Sequence, residues 1–214
     1  IAEDSSDSAS SVSREHDIRV GSDGLITIAG GKLTTYRRMG GEVVDTAVQM
    51  LRLTDKLPDG LRTADTANEP LPGAVGWPEN DDASSIVGEV LELGKGVISQ
   101  ETAEMLVHVY GVRGLDIARM TAAEPPESRM LAEGRPEVLA QVDFAVTREL
   151  ATRLGDVMIR RTQLFFRDQE QGLGCCEQVA ERMAELLGWD SSRTAAEILA
   201  YQKEVARSRL WRED

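Results

Sequence analysis

"GLITIAGGKLTTYRRMGGEVVDTAV", residues 24–48, decides how this chain is read. The stretch begins β-rich, with Leu25, Ile26 and Ile28. It then meets Gly30, Gly31 and Lys32 and continues into an apolar repeat. Met39, Val43, Ala47 and Leu51 recur every four residues, with Val44 and Val48 widening the stripe. That period predicts a helix with one buried face. Upstream, "REHDIRV" alternates, and Gly21-Ser22-Asp23-Gly24 is a turn signal, so the two β-rich runs form a hairpin. "LITIA" is almost wholly apolar, which predicts cover on both of its faces.

A strand that enters a helix through two glycines has a physical logic. Glycine lets backbone approach closely because no Cβ intervenes. The first helical N–H groups lack intrahelical partners and carry partial positive charge, so they favour an anion or an electron-rich carbonyl. Lys32 adds a full charge in the same place. The plain alternative is a tight turn with a solvated lysine. A phosphate-cradling P-loop fails on both tests: Ile26 stands where its first glycine belongs, and Leu33 where its Ser or Thr belongs. A dinucleotide turn in "GLGCCE" fails too, with Glu177 in place of the third glycine.

Outward from this stretch, the chain becomes helical. Residues 1–12 read as a polar loop, and Asp55 to Gly60 ends the first helix. Residues 63–83 carry three prolines and no helical period, so they read as a linker. Beyond it, Ile86, Val90 and Leu93 form a helical stripe. Ser99 caps a helix that Gly111 closes. A short helix is expected from Gly114 to Met120, before Pro125-Pro126. "VLAQVDFAV", 138–146, suits strand or helix, and extended structure is the expectation. One or two helical turns should occupy 156–164. Gly174 to Leu187 is helical with Gly188 behind it, and Ser191 or Ser192 caps a last helix reaching about Arg209.

Bulk properties narrow the function. The 214 residues are 41% apolar and 29% charged, ordinary for a globular protein. Net charge is −13, which argues against nucleic acid as a partner. The acidic excess between residues 63 and 104 reads as a solvated face. Cys175 and Cys176 are adjacent and read as free thiols, with no metal site around them. His108 reads as a helix-surface residue, and His16 has no role that spacing reveals. Residue 1 is Ile, no signal peptide follows, and the opening reads as the middle of a longer chain.

"SREHDI", then "GLITIAGGKLTTYRRM", then "VVD" resembles the C-terminal part of FAD-dependent glycerol-3-phosphate dehydrogenases. "ETAEMLVHVYG" and "LGDVMIRRTQL" are similar to that family's C-terminal helical domain and arrive in the right order. The likeness covers nearly the whole chain. It implies a mainly α fold: residues 1–62 as the closing hairpin, glycine turn and helix of an FAD-binding, Rossmann-like α/β domain, 63–81 as linker, and 82–214 as the helical C-terminal domain. It implies oxidation of sn-glycerol 3-phosphate to dihydroxyacetone phosphate with reduction of FAD, electrons passing to a quinone. An oxidase that uses oxygen, or a non-catalytic helical interaction module, are the alternatives. By resemblance, Gly30, Gly31, Lys32, Leu33 and Thr34 lie beside the flavin, and Arg14 and Lys32 face the substrate. No catalytic base is assigned within the chain, and the enzyme's other half, with the dinucleotide fingerprint, would precede Ile1. The resemblance further implies a cytoplasmic location, with a homodimer partner and peripheral attachment to the inner membrane face as extensions of it. Arg160 and Arg161 are expected to pair with the acidic stretch or with the flavin domain. Gly40 and Gly41 depart from the helix formers expected there; each costs about 1 kcal/mol.

Overall fold

The computed structural model describes residues 15–54, 57, 60–62, 64–94, 96–123, 130–132 and 134–212. Arg14, the loop of residues 1–12 and Pro125-Pro126 lie outside the described residues. The chain divides into two compact units, residues 1–70 and 71–214. It is mainly α-helical, with one two-stranded sheet among the described residues.

In the first unit, strand β1 (His16–Val20) pairs antiparallel with β2 (Ile26–Gly30). Ile18 lies opposite Ile28, and Val20 opposite Ile26. The hairpin closes where the Gly21 amide donates to the Leu25 carbonyl (2.8 Å) and the Gly24 amide to the Gly21 carbonyl (3.0 Å). A single 3-10 turn, Leu33–Thr35, leads into helix α1 (Tyr36–Leu53). None of the described residues of this unit is fully buried. Cover on both faces of "LITIA" is therefore not observed within the unit. Ile26 and Ile28 are half-buried, while Leu25 is 64% exposed, because a lone hairpin and one helix can shield only one face of the sheet.

The second unit is a helical domain built on α2 (Ser84–Leu93), α3 (Gln100–Tyr110), α4 (Gly114–Ala123), α5 (Ala140–Glu149), α6 (Leu164–Arg167), α7 (Cys176–Leu187) and α8 (Ser191–Arg209). Its apolar residues form two clusters. Ile86, Val90, Leu106, Ile117 and Phe144 belong to one. Val142, Leu154, Met158, Leu164, Val179 and Met183 belong to the other. The segment expected to be extended is instead α5, since it runs between the clusters. Val138, Ala140 and Phe144 serve one core, and Leu139, Val142 and Ala145 the other. A helix buried on both sides shows no polar face, so its period is hidden in the sequence. Its polar residues are satisfied internally. The Gln141 amide donates to Tyr110 Oη (3.0 Å) and its oxygen accepts from the Val138 amide (2.9 Å). Asp143 accepts two bonds from Arg182, at 2.7 and 3.0 Å.

The helix ends follow local chemistry. Ser99 Oγ accepts from the Thr102 amide (3.1 Å), and Gly188 ends α7 in the left-handed conformation. The cap of α8 is Asp190 rather than either serine: its carboxylate accepts from the Arg193 amide (2.7 Å), a stronger charge-assisted cap. Asp156–Arg161 is π-helical.

Candidate functional site

The glycine turn brings together Gly30, Gly31, Lys32, Leu33 and Thr34, the five consecutive residues singled out in the sequence. Gly30 and Gly31 both adopt left-handed backbone, with φ of 81° and 87°. A Cβ on Gly30 would lie 2.6 Å from the Glu15 carbonyl oxygen, and one on Gly31 would lie 2.5 Å from Met39 Sδ. The space each glycine leaves is thus filled by the protein itself. The turn requires both glycines whether or not anything binds beside it.

Beyond the glycines the turn opens outward. Lys32 and Thr34 are exposed, and Leu33 is 90% exposed. Thr35 braces the bend from below: its hydroxyl accepts from the Lys32 amide (3.3 Å) and donates to the Lys32 carbonyl (2.9 Å). What the turn offers a ligand is therefore an ammonium, a naked apolar side chain and a helix entrance.

Sequence reasoning missed a network behind this turn. His16 Nε2 lies 2.6 Å from Glu42 Oε2, and the other carboxylate oxygen accepts from Arg38 Nε at 2.7 Å. The Arg38 hydrogen bond, and then that of His16, hold the Glu42 carboxyl below its usual range. Arg38 and Glu42 are four apart on a helix, a visible pairing signal. His16 lies 26 residues from Glu42, and nothing in the sequence announces that contact.

On the outer side of α1, Tyr36, Arg37, Gly40, Gly41, Val44, Asp45, Ala64 and Thr66 line a cavity of about 380 Å³. A Cβ on Gly40 or Gly41 would meet nothing within 4 Å.

In the helical domain, Arg160 and Arg161 are not joined to the acidic stretch. Arg160 pairs with Asp156 (2.9 Å), four residues before it in the π-helical segment, and Arg161 with Glu149 (3.0 Å) at the end of α5. Cys175 and Cys176 are buried free thiols, as expected, and burial pushes the Cys175 thiol up to about 11. Among the described residues, no group of three or more His, Cys, Asp or Glu side chains is placed to hold a metal.

Residues 64–194 match the family model described as the C-terminal domain of alpha-glycerophosphate oxidase. The chain is 30% identical over 200 residues to glycerol-3-phosphate dehydrogenase 2 of Mycobacterium tuberculosis, covering 94% of this chain and 32% of that protein. It is 29% identical over 205 residues to a glycerol-3-phosphate dehydrogenase of Synechocystis, covering 94% of this chain and 35% of that one. The solved glycerol-3-phosphate dehydrogenase of Bacillus halodurans, complexed with FAD, superposes with a TM-score of 0.63 at 25% identity. That match covers 88% of this chain and 36% of the Bacillus chain. The chain thus spans about a third of the length of these relatives. The family-model match over residues 64–194, the relatives' identity across 94% of the chain and the fold match to the Bacillus enzyme place this chain in the FAD-dependent glycerol-3-phosphate dehydrogenase family, as its C-terminal portion.

Proposed function

We propose that this chain completes the cofactor and substrate site of an enzyme that oxidises sn-glycerol 3-phosphate to dihydroxyacetone phosphate. The observation that carries the reading is the exposed Lys32-Leu33-Thr34 turn at the mouth of α1, in a unit with no fully buried described residue. Residues 1–62 would close an FAD-binding domain supplied by upstream sequence, 63–81 would link, and 82–214 would form the helical domain. Exposed apolar side chains on α1 support this. Val44 is 54% exposed and Tyr36 62%, on the side where Gly40 and Gly41 leave room for a close neighbour.

The residues present suit FAD. Leu33 offers apolar contact to a flat ring, and Lys32 with the helix entrance favours negative charge at the ring's electron-rich edge. Bound FAD would supply the acceptor for the hydride leaving the substrate carbon. Lys32 would hold the substrate phosphate or polarise its oxygen, and Arg14 would grip the phosphate with its planar fork. Gly30 and Gly31 contribute the backbone path that presents Lys32, Leu33 and Thr34.

Quinone is the proposed electron acceptor, met at the membrane surface from the cytoplasmic side. Among the described residues, no helix is long and apolar enough to cross a membrane. Oxygen is the second reading, because the matching family model is named for an oxidase. Assay of the complete gene product with a soluble quinone under nitrogen, against peroxide release in air, separates the two. Lys32→Ala and Arg14→Ala should each raise KM for glycerol 3-phosphate about 30- to 100-fold while FAD content holds, the loss of a charged hydrogen bond to phosphate. Unchanged kinetics in both variants would remove the assignment.

A further inference from the structure

We propose that His16 and Glu42 are positioning residues for the glycine turn, a latch that fixes Lys32 relative to helix α1. The inference rests on the reading given under Proposed function and assigns it two residues that touch neither substrate nor cofactor.

The latch ties three elements together. His16 opens β1 and is the ladder partner of Gly30, so its backbone is fixed to the start of the turn. Its side chain is only 14% exposed, in a unit with no fully buried described residue. Its imidazole reaches across to Glu42 on α1 (2.6 Å), and Arg38 holds the far oxygen of the same carboxylate. Met39 and Glu42 lie three residues apart on one face of α1, and Thr35, the cap residue just before α1, hydrogen-bonds Met39. Thr35 binds the Lys32 backbone at both its amide and its carbonyl. Gly31 passes between Met39 and His16: a Cβ there would lie 2.5 Å from Met39 Sδ and 3.4 Å from His16 Cβ. The turn is therefore gripped by the helix on one side and by His16 on the other, and Glu42 joins the two grips. Glu15 adds its negative field at Arg38, from the residue next to His16.

A partly exposed ion pair contributes little to stability, and Glu42 is 38% exposed. The value of the contact is geometric. Displacing a charged binding group by ~1 Å can cost far more in turnover than the pair contributes to folding.

The test uses the complete gene product and the variants His16→Ala, His16→Gln and Glu42→Gln. Peptide-level amide exchange is followed across residues 26–36, with KM, kcat and the bound-flavin absorbance. His16→Ala should accelerate exchange in the turn and raise KM for glycerol 3-phosphate, each by about tenfold, with a shifted flavin band and little change in Tm. His16→Gln places an amide nitrogen near the lost Nε2 and should return KM to within about twofold of wild type. Glu42→Gln keeps the side-chain shape but only one acceptor oxygen, so it cannot serve His16 and Arg38 together and should accelerate exchange in the turn as His16→Ala does. Unchanged exchange in both His16→Ala and Glu42→Gln overturns the latch, whatever the activity. Faster exchange with unchanged KM and flavin spectrum overturns its positioning role. A wild-type protein that neither holds FAD nor oxidises glycerol 3-phosphate would sink the functional reading, and the exchange data would still decide the latch.

Discussion

Arg182 and Asp143 show how much one contact can hold in this protein. The pair joins α7 to α5 by two hydrogen bonds, and the aspartate is 7% exposed. Removing the guanidinium leaves a buried carboxylate without its cation. Arg182→Ala should therefore cost about 3 kcal/mol, read as a lowered urea midpoint at unchanged slope. Two other buried groups predict an alkaline limit. Burial raises the Cys175 thiol from 9.0 to about 11 and the Tyr110 phenol from 10.0 to about 12. The folded chain thus keeps protons that the unfolded chain releases. The stability linked to these groups is fully present below pH 9 and is lost as pH climbs from 9 towards 12. Tm should hold to about pH 9 and then fall. Cys175→Ala should flatten the earlier part of that fall, and the native thiol should react with a disulfide reagent only slowly at neutral pH.

At the scale of the element, helix α1 is the informative case. Its period was readable, but Gly40 and Gly41 break local preference, and the structure places open space beside both. In this chain alone, Gly40→Ala and Gly41→Ala should each stabilise the helix by about 1 kcal/mol, seen as greater ellipticity and a later thermal transition. In the complete gene product, where a neighbour would occupy that side, the same variants should lower Tm. A gain in both contexts would show that nothing packs there. Helix α5 teaches the opposite lesson. Its apolar run resists assignment because two cores use it. Gln141 is tolerated inside because it donates to Tyr110 and accepts from the Val138 amide, and Asp143 because it accepts from Arg182.

For the whole molecule, the two units differ in what they bury. The helical domain has two connected sets of buried apolar side chains, whereas the described residues of the first unit have none. Limited proteolysis should therefore cut first on the N-terminal side of Leu71 and leave a resistant fragment of the helical domain. Preferential cutting inside α3 to α7, followed by mass spectrometry, would contradict that order of stability. The hairpin, the glycine turn, the helix of residues 36–53, the Ser99 cap and the family resemblance could all be read from residues alone. The structural features among these depend on nearby residues, where backbone preference and side-chain period act directly, and the resemblance rests on motifs in order along the chain. The strand-or-helix choice at 138–146, the true partners of Arg160 and Arg161, the Asp190 cap and the reach of His16 to Glu42 were decided only by the tertiary structure. In the first and last of these, and in the Arg161–Glu149 pair, burial or charge pairing acts between residues that the fold brings together, whereas Arg160 and Asp156 are only four residues apart. At Asp190, a carboxylate cap displaced the nearby serines that local preference also allowed.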